Sequence, residues 1–555
     1  MPLTKSNKTL IVFFIAVFLI NFTQSLSTEL LGDEAYYWVY SNFLDWGYFD
    51  HPPMVALWIF ISKTIFGNIE LGVRFFSTIS ICATYYLIWL TIENPKKKEH
   101  VTLFSITCFS FVLLNIFGFI TVPDTPLLFF LALFLFGYQK FLKNKSFKNG
   151  ALVTLAISGM LYSKYHAVLI VGFVVLSNLK LLKEYKTWLI TLGIIILCFP
   201  HLFWQYKNDF ISFTFHLGRS SKSTYKFENT YMFFVNAIAI VGLTFPIVYK
   251  SFFKNLTSKD LFQKALNYIC IGFLAFFFYT SFKMPTQAQW NGPILIPLAI
   301  ITFNYLLVNE KSRKTFSTLG IMTISLLMIL RVLITTDEIF GIQLEMQGNK
   351  KWVTALHEKV KNEKVLFKNS YTNTSWYWFY SGQQPYEYNT WYKRKSQYNL
   401  YDYNKNVKSE EIILINNRRQ GAFDSITTKH NKRKFLKRIK NYQKEGVIMS
   451  SNKVLNLEQN QINNFDIKIE NPNNIDLKKL KLHVVFRDKN YKGFKKEGSK
   501  NETFFKASLT ENQKLEFKLT ENFKGFTPTH MQILGNYNIG TSPVEVGYIE
   551  CQLKE

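Results

Sequence analysis

Cysteine is scarce in this chain, with five in 555 residues. Cys82, Cys108, Cys198 and Cys270 fall inside apolar runs and Cys551 stands alone near the far end, so no disulfide framework is expected. Carboxylates are also few: 38 Asp and Glu against 65 Lys and Arg, a formal charge of +27. No A-x-A-like cleavage site follows the first apolar run, only Ser25-Leu26-Ser27, so that run reads as an anchor and not as a signal peptide. Beyond about Ile334 no long apolar stretch exists at all; Lys, Asn, Glu and Tyr dominate from Thr336 to Glu555.

What is present lies on the other side of that boundary. Hydrophobic residues make up 48% of the chain, aromatics 17%, with 54 Phe, yet mean hydropathy is only +0.03. An average so close to zero hides two unlike parts. From Leu10 to about Ile334, apolar stretches of roughly 17–25 residues recur, the length a helix needs to cross a hydrocarbon core. About eleven are expected, near 9–27, 70–92, 100–121, 125–139, 149–163, 165–182, 187–204, 230–249, 265–282, 290–308 and 315–335. Val55–Phe66 is too short to span and follows Pro52-Pro53, so it reads as an amphipathic helix lying along the interface. The fold class is a polytopic α-helical membrane protein with a soluble C-terminal part. The expected domains are 1–336 in the membrane, 337–447 as a soluble α/β domain and 448–555 as a β-rich, sandwich-like domain, since segments such as Phe465–Ile469 alternate in the manner of strands.

The basic residues set the orientation. Alternate loops carry Lys5 and Lys8, Lys96–Lys98, Lys140–Lys148, Lys180–Lys186, Lys250–Lys264 and Lys311–Lys314, about nineteen positive charges against about seven in the others. The richer set is expected to be cytoplasmic, which puts residues 30–54, the turn at Pro123-Asp124, the loop after Trp204 and the soluble part outside a bacterial cytoplasmic membrane. The net charge is then an orientation signal plus a basic outer domain, and not a sign of nucleic acid. The runs KRKFLKR (432–438) and KKLKLHVVFRDK (478–489) suit anionic headgroups of membrane lipids, though a solvated basic face is the simpler reading.

The stretch LLGDEAYYWVYSNFLDWGYFDHPPM, residues 30–54, packs four carboxylates, a histidine and many aromatic rings just past the first membrane exit. Asp33 and Glu34 could simply open a helix. Their company argues for more. Arg74 opens the second span, Lys164 and His166 fill a turn with almost no loop, Asp124 sits in a tight turn on the same side, and His51 follows Asp50. Carboxylates facing Arg, Lys and His at headgroup depth suit a lipid-linked phosphosugar: cations clamp the phosphate, which leaves without a strong acid, and one carboxylate takes the acceptor's proton. Tyr36, Tyr37, Trp38, Tyr40, Trp46, Tyr48 and Phe49 suit sugar faces and the interfacial belt alike.

Asp33-Glu34-Ala35-Tyr36-Tyr37-Trp38, then Gly47-Tyr48-Phe49-Asp50-His51-Pro52-Pro53, resembles the first outer loop of GT-C fold membrane glycosyltransferases, in the bacterial branch of the protein O-mannosyltransferases and lipid A aminoarabinose transferases. Further similar stretches follow in family order: Leu71-Gly72-Val73-Arg74, Val122-Pro123-Asp124-Thr125-Pro126, Lys164-Tyr165-His166, Pro200–Tyr206, and Phe215-His216-Leu217 with Arg219. The resemblance covers roughly residues 8–420.

That resemblance implies sugar transfer with inversion from a polyprenyl-phosphate donor to a glycolipid, polysaccharide or protein acceptor. It implies Asp33 as general base and Glu34 as substrate positioner. Arg74 would hold the lipid phosphate with Lys164 and His51; Asp124, Tyr48, His166 and Arg219 would line the substrate sites. It also points to a divalent metal ion at Asp50 and His216. Two departures stand out: Gln289-Trp290-Asn291-Gly292-Pro293 where the family has Asn-Trp-Pro, and His51 where the aminoarabinose transferases carry lysine. The rival class is a transporter or flippase of lipid-linked substrates. Such proteins usually repeat one half in the other and break their helices at the midplane, whereas here the charges gather at one membrane face.

Overall fold

The computed structural model describes residues 4–220, 225–389 and, between 394 and 554, all but 406, 420, 430–431, 444–447, 452, 471–480, 489–502, 504, 511–513, 521–522, 524–525 and 537–548. The side chains of 217–220, 441, 443, 448, 481, 535 and 536 also lie outside the described set. The chain divides into two compact units, Met1–Lys350 and Lys351–Glu555.

The first unit is helical throughout. It opens with α1 (Lys5–Ser27), α2 (Gly32–Ser41), α3 (Met54–Phe66) and α4 (Glu70–Thr91). Among the described residues, seven helices are long and apolar enough to cross a membrane: α1, α4, Asp124–Lys143, Tyr185–Lys207, Leu261–Ser281, Ala288–Val308 and Glu310–Leu333. Only 28% of the apolar window of α1 and 22% of that of Tyr185–Lys207 is buried, against 83% for Ala288–Val308. The first two therefore turn their sides to hydrocarbon, and the third forms the centre of the bundle. Its neighbours meet it through rings such as Phe104 on Phe303, with centroids 5.5 Å apart.

Four of the eleven expected spans take another form. Residues 100–121 break at Phe111 into Val101–Ser110 and Val112–Ile116, and Asn115 Nδ2 donates to the carbonyl of Phe109 across the break. Residues 230–249 become Phe227–Ala239 and Gly242–Asn255, bent by 96°. The bend falls at Gly242, whose φ of +63° is open to glycine, and whose added Cβ would meet Thr323 Cγ2 at 2.6 Å. Residues 147–163 form a 17-residue helix and 167–177 an 11-residue helix, short for a span of their own. Apolar composition alone could not place these breaks. The piece after Pro52-Pro53 is a 13-residue helix, α3.

Tight turns fix the end of the bundle that carries residues 28–54. Gly67 ends α3 with φ +75°, and a Cβ on Gly72 would lie 2.0 Å from the Gly67 carbonyl oxygen. This close approach sets the start of α4 and, two residues on, the place of Arg74.

The second unit begins with a β-α-β stretch. Strands Val365–Lys368 (β1), Tyr386–Tyr388 (β2), Lys408–Asn416 (β3), Asp424–Thr427 (β4) and Arg433–Gln443 (β5) form one sheet in the order β2-β1-β3-β5-β4. The first three are parallel and the last two antiparallel. Leu366, Ile412, Leu414 and Ile439 form its core. Trp376 is buried in the helix Tyr371–Ser381. Residues 455–553 supply a second, seven-stranded sheet, mostly antiparallel, closed over Val484, Phe486, Phe517 and Met531.

Candidate active site

Short polar residues end α1, and the chain turns at Thr28-Glu29 into α2, whose first turn carries Asp33 and Glu34. Their fates differ. Asp33 is exposed, whereas Glu34 is fully buried. Glu34 Oε1 accepts from Arg74 Nε at 2.8 Å and from the Thr121 amide at 2.9 Å; Oε2 accepts from Arg74 Nη2 at 2.6 Å and from the Leu31 amide at 3.0 Å. The remaining donors of Arg74 reach Thr28 O at 2.8 Å, Thr28 Oγ1 at 2.9 Å and Glu29 O at 2.8 Å. This corrects two expectations. Arg74 spends its five donors inside the protein and has zero exposure, so it holds Glu34 and not a lipid phosphate. Glu34 in turn anchors the first turn of α2 instead of meeting substrate. A second brace comes from Glu345 Oε1, which accepts the Gly32 amide at 3.0 Å.

Thr121 leads into the turn where Asp124 starts the helix Asp124–Lys143. Asp124 takes both hydrogen bonds from Lys164 Nζ, at 2.7 and 2.8 Å, and both residues are buried. Lys164 closes the helix Phe147–Ser163, so this pair ties two helix ends together. Next to it, His166 packs edge-on against Phe277 and Trp290. It lies within electrostatic reach of Lys164, His216 and His51. The structure thus gathers His51, His166, His216 and Lys164 into one basic cluster.

The loop 42–53 forms the floor. Tyr48 is fully buried, stacks on Tyr40 with centroids 4.2 Å apart, and donates to Tyr40 O and Phe43 O. It therefore shapes the loop from within and does not line a substrate surface. Burial, then the Asp50 charge, pushes the Tyr40 hydroxyl well above its ordinary pKa, so it stays a donor and reaches Asp50 Oδ1 at 2.5 Å. The stretch from His201 to His216 fastens the loop from above. His201 Nδ1 meets Trp46 O at 2.7 Å, Trp204 Nε1 donates to Asp45 Oδ2 at 2.7 Å, Ser212 Oγ donates to Tyr48 O at 2.8 Å, and His216 Nε2 meets Asp50 O at 2.9 Å. Gly47 is required here, because a Cβ would fall 2.4 Å from the Trp204 ring.

The expected metal pair, Asp50 and His216, meets through the Asp50 backbone. His216 contacts the backbone carbonyl of Asp50, the buried Asp50 carboxylate is engaged by Tyr40, and no group of three or more His, Cys, Asp or Glu converges among the described residues. The side chain of Arg219 lies outside the described residues. The sequence assigns no role to Thr28, Thr121 or Glu345 in this framework, and His201 and Trp204 stand out only within the stretch Pro200–Tyr206. A cavity of about 430 Å³, lined by Glu93, Asn94, Lys143 and Asp260 among others, lies at the opposite ends of these helices, away from Asp33.

A helical membrane unit with an acid-and-base cluster at one end, followed by a β-rich part, defines a GT-C type fold. The chain aligns with the crystal structure of ArnT from Cupriavidus metallidurans at a TM-score of 0.55, over 77% of this chain and 97% of that one, with 10% identity. A second structure of that protein, bound to undecaprenyl phosphate, aligns equally well at 11% identity. Residues 50–204 match the family described as dolichyl-phosphate-mannose-protein mannosyltransferase. Lipid A galacturonosyltransferase RgtD of Rhizobium johnstonii is 25% identical over 40% of this chain and 48% of its own length. The undecaprenyl phosphate-alpha-4-amino-4-deoxy-L-arabinose arabinosyl transferase of Yersinia pestis is 24% identical over 50% of this chain and 53% of its own. The chain spans about half the length of the curated relatives it matches.

Proposed function

We propose that this protein is an inverting glycosyltransferase, moving a sugar from a polyprenyl-phosphate donor to an acceptor at the outer face of a bacterial cytoplasmic membrane. One observation carries the reading. Asp33 is an exposed carboxylate on a helix turn whose next residue is locked from all sides, so the base is presented without freedom to wander.

In the reaction, an acceptor hydroxyl gives its proton to Asp33 as its oxygen attacks the anomeric carbon. The bond from that carbon to the phosphate oxygen breaks, and polyprenyl phosphate departs with the electron pair. The cluster of His51, His166, His216 and Lys164 receives the phosphate charge that develops. Asp124 holds Lys164 in place. Because the leaving group is already an anion, no acid needs to protonate it. The named relatives act on lipid A or use an undecaprenyl phosphate-linked pentose. For this chain we infer a hexosyl or pentosyl donor on an undecaprenyl-type carrier, and a glycolipid acceptor ahead of polysaccharide or protein.

The test compares envelope glycolipids, polysaccharides and surface proteins by mass spectrometry in a strain lacking the protein and in strains carrying the native chain or Asp33→Asn. A sugar missing from the deletion strain, restored by the native chain and absent with Asp33→Asn, is the expected outcome. Restoration by Asp33→Asn overturns Asp33 as the base. A deletion strain that retains every sugar but accumulates a lipid-linked intermediate on the inner leaflet favours a flippase instead.

A further inference from the structure

The chain leaves the helix Glu310–Leu333 into a short hairpin whose tip neither the bundle nor the candidate active site uses. Ile339 and Ile342 exchange both backbone hydrogen bonds, Ile339 N to Ile342 O at 2.8 Å and Ile342 N to Ile339 O at 2.9 Å. The two residues between them, Phe340 and Gly341, have φ of +48° and +77°. This is the left-handed pair of a type I′ turn, where Asn-Gly is the usual choice. Glycine takes that conformation freely, whereas a bulky side chain is strained in it. Phe340 is nevertheless 94% exposed, and Ile342 64%. A strained, outward-facing phenylalanine at a hairpin tip serves neither the local backbone nor the core.

The height of the hairpin is fixed at its base. Gln347 Nε2 donates to Leu333 O at 3.2 Å and to Thr336 O at 2.7 Å, and Thr336 Oγ1 donates to Leu333 O at 2.7 Å, so both arms are tied to the helix end. Ile339, one residue before the tip, packs on the cluster of Phe119, Ile120, Ile334 and Met346. The tip therefore stays level with the end of the helix. That helix has 24 residues, a rise of roughly 36 Å against a hydrocarbon core of about 30 Å, so its end emerges at headgroup depth. Only 28% of its apolar window is buried. It lies at the rim of the bundle, with Met322, Leu326, Ile329 and Val332 exposed toward hydrocarbon. Phe340 and Ile342 add apolar surface at the depth where interfacial segments bury their rings and aliphatic chains. Asp337 and Glu338, exposed on the outgoing arm, belong in headgroup water and limit insertion to the tip.

We propose that this hairpin is a membrane-interface anchor, with Phe340 and Ile342 inserted among the acyl chains of the leaflet at the Asp33 end of the bundle. The returning arm carries Glu345, which holds the Gly32 amide. Seating the tip thus sets the depth of the first turn of α2 against the lipid headgroups. The insertion itself does not depend on the transferase reading.

The test puts an environment-sensitive fluorophore on Phe340→Cys in the full chain. The protein sits in phosphatidylcholine nanodiscs whose lipid carries a nitroxide either high on the acyl chain or near its end. Four native cysteines are buried and Cys82 is half-buried, and the native chain taken through the same labelling supplies the background. The probe at position 340 is expected to be quenched more by the shallow nitroxide, and a probe on Met322→Cys, near the middle of the helix, more by the deep one. A further probe on Ile342→Cys is read with Phe340 intact and with Phe340→Gly, which fits the left-handed backbone without strain. Its quenching should fall in Phe340→Gly. A probe at position 340 that neither nitroxide quenches, whether water or a second copy of the chain surrounds it, overturns the anchor. Undiminished quenching at position 342 in Phe340→Gly does the same.

Discussion

Arg74 Nε and Nη2 hold the two carboxylate oxygens of Glu34, at 2.8 and 2.6 Å, with neither side chain reachable by solvent. The pair is bought with desolvation and repaid by geometry: each remaining donor of Arg74 and each oxygen of Glu34 has a backbone or hydroxyl partner. Removing one member strands the other as a buried charge. Arg74→Ala and Glu34→Ala are each expected to cost about 3–5 kcal/mol, read as a lower unfolding temperature of the detergent-solubilised protein. Arg74→Lys should recover little, since a point-charge ammonium cannot span two oxygens and the Thr28 carbonyl together.

Asp33 should behave in the opposite way. It is exposed at the start of α2, so Asp33→Asn forfeits at most about 1 kcal/mol of helix-end electrostatics. Sugar transfer in proteoliposomes should nevertheless fall by about 10²–10⁴-fold, the usual contribution of a general base. Neighbouring residues with opposite profiles, one structural and one chemical, would separate the anchor from the base. Equal loss of stability in both variants would sink that division.

The sequence displayed the ingredients of this site without their pairing. Asp33, Glu34, Arg74, Asp124, Lys164, His51 and His216 all stood out as charges at one membrane face, and the structure pairs Glu34 with Arg74 and Asp124 with Lys164 and sets His51 beside His216. Which carboxylate meets which cation depends on how α2, α4 and the helices Asp124–Lys143 and Phe147–Ser163 pack, and no local pattern encodes that. Glu34 and Asp33 look interchangeable as letters; a single step along a helix turns one inward and the other outward. The helix breaks were hidden for a related reason. Apolar composition reports what hydrocarbon tolerates, while the bend at Gly242 and the break at Phe111 follow from contacts such as the hydrogen bond from Leu113 N to Ile240 O.

Lys164 and Asp124 allow a double-variant test. Asp124→Asn leaves the Lys164 ammonium buried without its counter-charge and should destabilise the protein by about 3 kcal/mol. Lys164→Met in the same chain removes that stranded charge and should return most of the loss. If Lys164 also receives the phosphate, the double variant regains its unfolding temperature while transfer stays low. Recovery of both would make the pair purely structural.

Gly72 offers a purely steric prediction. A Cβ there would sit 2.0 Å from the Gly67 carbonyl oxygen and 3.4 Å from the Lys63 Cα. Backbone cannot swing aside as a side-chain tip can, so Gly72→Ala must separate α3 from α4 and shift Arg74. A loss of about 1–3 kcal/mol is expected from the overpacking alone, accompanied by reduced transfer. Gly292→Ala, where a Cβ meets nothing within 4 Å, is the matched control and should leave the unfolding temperature unchanged.

Lys63 gives a dependence on pH. In the last turn of α3, its ammonium donates to Ser41 O at 3.0 Å and to Asn42 Oδ1 at 2.5 Å, so it caps the carboxyl end of α2. It also lies 5.8 Å from the Trp38 ring. Burial pushes its pKa from 10.5 down to about 8. Between those two values the unfolded chain binds a proton that the folded chain has released, so this residue's contribution to stability rises with pH across that window; below pH 8 its desolvation penalty is felt in full. The neutral amine keeps two donors for Ser41 and Asn42, so the cap survives the loss of charge. Acetylation of Lys63 should half-saturate near pH 8, well below the surface lysines. Lys63→Met should flatten that part of the pH dependence of the unfolding temperature while weakening the α2 cap at every pH. A Lys63 that titrates with the surface lysines would show that its ammonium stays hydrated, and that the cap is made by a solvated charge.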